Sequence, residues 1–103
     1  MADLQQKDWT KQRDEDNNSV VLDVRTQQEV DEGIIPNSLH IDIYRGQDFI
    51  DEIQKLDKTK SYYVYCRSGN RSGQACAIMN QLGFNNAYNL VGGFNEWTGK
   101  TAH

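Results

Sequence analysis

Short apolar runs alternate with amphipathic stretches along most of this chain, and they predict strands and helices in turn. Val20-Val21-Leu22-Asp23-Val24 is β-branched and apolar enough for a buried strand, and Asn17-Asn18-Ser19 supplies a turn before it. Thr26, with Glu29 three residues later, has the spacing of a helix capping box, and Gly33 and Pro36 keep that helix short. Leu39-His40-Ile41-Asp42-Ile43 alternates as a strand does. From Gln47 to Leu56 the residues Phe49, Ile50, Ile53 and Leu56 recur at helical spacing. Tyr62-Tyr63-Val64-Tyr65 is the next strand, and it runs directly into Cys66-Arg67-Ser68-Gly69-Asn70-Arg71-Ser72. Ala75, Ile78, Met79 and Leu82 mark a helix that starts near Ser72 and ends at Gly83. Ala87 to Val91 forms the last strand, and Gly92-Gly93 turns the chain into a terminal helical segment with Phe94 and Trp97.

Strands separated by helices, without a tight hairpin signal, imply an α/β fold with a mostly parallel sheet covered on both faces. Four or five strands are compatible with the pattern. In such sheets ligands bind beyond the carboxyl ends of the strands, where Cys66 falls. A length of 103 residues fits one domain spanning 1–103, with no repeat or linker to divide it.

Charge narrows the choice of partner. The net charge of −4 argues against nucleic acid and against an anionic membrane surface. No acidic residue occurs between Cys66 and Asn95, where Arg67 and Arg71 are the only charges. A locally cationic stretch in an acidic protein fits a small anionic ligand; helices crowding the first half with solvated acids would produce the same asymmetry. Cys66 and Cys76 stand ten residues apart, which matches neither a redox C-x-x-C nor a zinc pattern, so no metal or cofactor is expected. The polar opening, Met1 to Ser19, lacks the apolar core of a signal peptide, and no run reaches the length of a membrane span. A reducing, cytoplasmic setting is expected, and it suits a free thiol.

The loop after the third apolar strand carries the chemistry. A glycine lets it curl so that backbone amides turn inward as an anion-binding nest. The helix that follows adds its partial positive end, and Arg67 and Arg71 add full charges. All of these favour thiolate over thiol at Cys66. Lowering a free thiol's pKa of about 8.5 by roughly two units takes about 2.7 kcal/mol, within reach of a helix terminus and two arginines together.

Cys66-Arg67-Ser68-Gly69-Asn70-Arg71-Ser72 resembles the active-site loop of the rhodanese-domain family, in particular its single-domain thiosulfate sulfurtransferases. Leu22-Asp23-Val24-Arg25 with Glu29, then Glu32-Gly33-Ile34-Ile35-Pro36, and finally Gly92-Gly93-Phe94 with Trp97 follow in the family's order. Together they cover about residues 20–99. Ile34 stands where the family usually has histidine, and Asn37-Ser38 where Gly-Ala is common; both departures lie in a turn remote from the nucleophile. The resemblance implies a three-layer α/β/α domain. It further implies that Cys66 is the nucleophile and takes a sulfane sulfur from a donor such as thiosulfate. It would hold that sulfur as a persulfide and pass it to cyanide, a thiol or a protein acceptor. By the same resemblance the backbone from Arg67 through Ser68, Gly69, Asn70 and Arg71 to Ser72 cradles the persulfide, and the two arginines face the anionic donor. Two half-reactions imply ping-pong kinetics.

Other roles compete for these residues. Cys66 as a buried structural thiol is disfavoured by the glycine and arginines around it, whereas Cys76 fits a helix core. Asp23, Arg25 and Glu29 fit a structural ion-pair and capping cluster, His40 an ordinary polar position, and Phe94 and Trp97 core closure. A surface salt bridge would also account for Arg71. Cysteine phosphatases and arsenate reductases use five residues between cysteine and arginine, against four here, so loop length favours sulfur over a tetrahedral oxyanion. A sulfur-carrying or protein-binding module remains the non-enzymatic alternative.

Overall fold

The computed structural model describes residues 2–103. In chain order it contains β1 (Ala2–Leu4), α1 (Gln6–Glu15), β2 (Ser19–Asp23), α2 (Gln27–Asp31), β3 (Leu39–His40), α3 (Gln47–Gln54), β4 (Ser61–Tyr65), α4 (Asn70–Gln81) and β5 (Ala87–Leu90). Two 3-10 turns, Ile43–Arg45 and Phe94–Glu96, complete it. All five strands run parallel in the order β1-β5-β4-β2-β3. β4 is central, and its five residues are all buried, as a strand covered on both faces requires.

Alternation along the strands divides the core into two clusters. One face packs Leu22, Val64, Phe49, Ile53, Met79 and Phe84 beneath α3 and α4. The other packs Trp9, Val21, Ile35, Tyr63, Tyr65 and Leu90 beneath α1. Trp9 is fully buried and meets Tyr63 and Trp97 edge-on at 5.8 Å, while its indole N–H donates to the Tyr88 carbonyl at 3.2 Å. Trp9 is the one fully buried residue of α1, and Gln12 adds a 3.2 Å hydrogen bond to the Tyr63 hydroxyl. Truncating a buried tryptophan costs about 3–5 kcal/mol.

Several boundaries differ from the sequence expectation. The capping box is present: the Glu29 amide donates to Thr26 Oγ1 at 3.3 Å, and the Glu29 carboxylate accepts from the Thr26 amide at 3.1 Å. The strand expected over 39–43 stops at His40, because the Asp42 side chain accepts from the Tyr44 amide at 2.9 Å and winds the chain into a 3-10 turn. α4 starts at Asn70, two residues before Ser72, because Gly69 at φ +106° makes the break itself. The polar opening carries no signal for α1 and leaves a first edge strand open. β1 pairs with β5 at the sheet edge, which resolves the strand number as five. Ile34, in the departing turn, bridges to Ala102 through two 2.8 Å backbone hydrogen bonds. Among the described residues no helix is long and apolar enough to cross a membrane.

Candidate active site

β4 delivers Cys66 to the carboxyl edge of the sheet, and the chain then curls over it into α4. Cys66 is fully buried, and two groups of its own loop face the sulfur. The Gly69 N–H donates to Sγ at 3.1 Å, and the Ser72 hydroxyl lies 3.3 Å away. Burial pushes the Cys66 thiol up, but the Ser72 hydroxyl and the amides of Ser72, Gly69 and Ser68 outweigh it, so its pKa lies below the ordinary value. The sulfur sits in a nest of donors at a helix N-terminus, an arrangement that holds negative charge.

The glycine pair at 92–93 forms the floor of this loop. The Phe94 N–H donates to the Cys66 carbonyl at 2.8 Å, and the Asn95 N–H donates to the Arg67 carbonyl at 3.0 Å. Gly93 adopts φ +55°, and a Cβ there would stand 2.6 Å from the backbone of Cys66 and Arg67. Only glycine lets the two chain segments approach this closely.

The two arginines are placed differently. Arg71 reaches back to α2 and grips Glu29 through both carboxylate oxygens, at 2.7 and 2.8 Å. Arg71 holds the Glu29 carboxyl at about 2, against a smaller opposing effect of burial and with help from Thr26. The Arg71 guanidinium also lies 5.4 Å from the ring centre of Tyr44, which is 69% exposed. Arg67 is 58% exposed and reaches Glu29 only at 3.7 Å, so its guanidinium points into solvent beside the loop. Ser68 and Asn70 are exposed on the loop's outer side.

Asp23 and Arg25 form a buried pair at 2.7 Å, with Tyr65 donating to Asp23 at 2.7 Å. Glu29, grouped with that pair on sequence grounds as an ion-pair and capping cluster, does cap α2, but its ion pair is with Arg71 rather than Arg25. His40 contacts the Arg25 carbonyl at 2.6 Å. Cys76 is fully buried in α4, and burial pushes its thiol up to about 12, so it is a core residue. Trp97 packs against Trp9 at the margin of the second cluster, and Phe94 stacks on Tyr65 at 6.2 Å. Sequence reasoning missed Asn89. It is buried on β5 and bonds both Ser72 and the Gly69 carbonyl.

The family model for the rhodanese-like domain matches residues 6–100. The chain belongs to this family. Among its relatives, "Putative sulfurtransferase YtwF" of Bacillus subtilis is 41% identical over 79% of this chain and 75% of its own length. The thiosulfate sulfurtransferase GlpE of Coxiella burnetii is 36% identical over 76% of this chain and 70% of its own. A solved structure from Staphylococcus saprophyticus superposes with a TM-score of 0.84 at 29% identity, covering all of both chains. Sulfur transfer is the chemistry that YtwF and GlpE are named for, and the Staphylococcus saprophyticus structure matches the fold of this chain, with its five-stranded parallel sheet.

Proposed function

We propose that this chain is a sulfurtransferase of the thiosulfate:cyanide class in which Cys66 carries the transferred sulfur as a persulfide. The observation that carries this reading is the nest around Sγ, with the Gly69 amide at 3.1 Å and the Ser72 hydroxyl at 3.3 Å. In the first half-reaction the Cys66 thiolate attacks the sulfane sulfur of thiosulfate. A bond forms between the two sulfurs as the sulfur–sulfur bond of thiosulfate breaks, and its electron pair leaves on sulfite. In the second, cyanide or an acceptor thiolate attacks the outer sulfur, and the electron pair of the broken bond returns to Cys66 as thiolate. The amides between Arg67 and Ser72 stabilise the negative outer sulfur, as donors aimed at developing charge do. Arg67, exposed and in only a loose 3.7 Å ion pair with Glu29, supplies a planar charged donor for the departing sulfite. Arg71, clamped by Glu29, keeps the loop's shape and adds its positive charge from a distance.

Intact-mass analysis after thiosulfate treatment tests the proposal. The expected result is the addition of one sulfur atom, removed by cyanide or reductant, in the native chain and in Cys76→Ser but not in Cys66→Ser. A folded native chain that gains no sulfur at saturating thiosulfate rejects it.

A further inference from the structure

We propose that Asn89 is a positioning residue for Cys66 and that Asp3, on the edge strand, acts through it. The inference rests on Cys66 being the reactive thiol. Asn89 lies on β5, between the strand that ends at Cys66 and the edge strand β1, and it is 5% exposed. Parallel register sets Asp3 directly opposite it. Both amide hydrogens of Asn89 are engaged: Nδ2 donates to Asp3 Oδ1 at 3.0 Å and to the Gly69 carbonyl at 3.1 Å. That orientation leaves Oδ1 facing the Ser72 hydroxyl, which donates to it. Gly69 at 3.1 Å and Ser72 at 3.3 Å are among the residues whose donors face the sulfur, and one buried side chain holds both.

The hydrogen count gives the arrangement a direction. Ser72 has a single hydroxyl hydrogen and two acceptors, Asn89 Oδ1 and Cys66 Sγ. With Cys66 as a thiol, S–H donates to Ser72, and Ser72 donates to Asn89. With Cys66 as a thiolate, rotation about the Cβ–Oγ bond turns the hydroxyl hydrogen to sulfur. The hydrogen turns because a hydrogen bond to an anion is about twice as strong as one to a neutral carbonyl, but Oδ1 then loses its donor, and that competition opposes the thiolate. Loss of Asn89 removes that competitor but also frees Gly69 and Ser72; under the proposed role of Asn89, the lost positioning of these two donors outweighs the lost competition.

Other charges act on the same sulfur. Arg71 and Cys76 face it from α4, and Arg67 stands beside it on the loop. Glu29 contacts Arg71 and, at 3.7 Å, Arg67, and Tyr44 lies against Arg71. Asp3 contributes a negative charge as well as a hydrogen-bond acceptor, so a test has to separate the two.

The measurement is the rate of iodoacetamide alkylation of Cys66 against pH, with the modified residue identified by mass spectrometry. In Asn89→Ala the midpoint rises and the rate at pH 7 falls about threefold to tenfold, the effect of one lost hydrogen bond. Asp3→Asn and Asp3→Ala remove the same charge, but only the first keeps an acceptor for Asn89. Asp3→Ala should therefore alkylate about twofold more slowly than Asp3→Asn at pH 7. Asp3 is exposed, so this pair tests the connection without disturbing the core if Asn89→Ala fails to fold. An unshifted or lowered midpoint in folded Asn89→Ala, or identical profiles for the Asp3 pair, overturns the inference. Alkylation reads the thiolate alone. Shifted midpoints without persulfide formation would keep this inference and reject sulfur transfer; persulfide with unshifted midpoints would do the reverse.

Discussion

Glu29→Gln keeps the shape of the side chain and removes the charge that Arg71 grips at 2.7 and 2.8 Å. Arg71 is the main cause of the fall in the Glu29 pKa from 4.5 to about 2. That depression corresponds to about 3 kcal/mol of stability at neutral pH. The raised pKa of Arg71 reports the same contact from the other side, so the two are not added. The side chains of Arg71 and Glu29 are 16% and 14% exposed, and partial screening brings the expected cost to about 2 kcal/mol. The sign follows from a folded-state pKa that is depressed. The contribution is fully present above the unfolded value of 4.5 and is lost as pH falls toward about 2. Urea unfolding of the native chain and the variant should show a gap of about 2 kcal/mol at pH 7, shrinking by roughly two-fifths at pH 3.5. A gap below about 0.5 kcal/mol, the ordinary surface value, or one constant across that range would refute the clamp.

Two further outcomes follow from the loop. Arg67→Ala should lower kcat/KM for thiosulfate at least about tenfold, or about 1.4 kcal/mol, and thiosulfate should outperform 3-mercaptopyruvate in the native chain; steady-state kinetics with both donors checks this. Gly93→Ala forces a Cβ to within 2.6 Å of the Cys66 and Arg67 backbone, so the loop must move. It should cost roughly 2 kcal/mol or more in urea unfolding and slow sulfur transfer by more than tenfold; native-like values for both would show that the floor yields.

The central elements were legible because each carries its own local signal. The β-branched run at 20–24, the capping box at Thr26 and the helical spacing at 47–56 depend on neighbours a few residues away. β1 and α1 have no such signal. In α1 one tryptophan provides the buried contact, and the surrounding residues are polar, so the amphipathic pattern is nearly absent although the docking is firm. β1 spans three residues and exists because β5 offers a free edge. The strand at 39–40 was over-extended for the opposite reason. Alternation over 39–43 is real, but the Asp42 side chain offers the backbone a better partner than the sheet.

The site divides along the same line. Cys66, Gly69 and Ser72 lie within seven consecutive residues, so a strand, a glycine and a helix start suffice to bring them to one sulfur. The partners of that loop come from far along the chain. Glu29 reaches Arg71 across 42 positions, Asn89 reaches Ser72 across 17, and Asp3 reaches Asn89 across 86. Closeness in sequence groups Glu29 with Asp23 and Arg25, and its capping of Thr26 holds, but its ion-pair partner is Arg71. The parallel sheet decides otherwise, since β1 and β5, the first and last strands of the chain, are neighbours in it. Residues that react are concentrated in one loop, whereas residues that hold the loop come from whichever strands and helices the topology sets beside it. Asn89 carries no motif. Its importance appears only when its two hydrogens and one oxygen are each traced to a partner, and two of those three bonds end on residues that hydrogen-bond Cys66 Sγ.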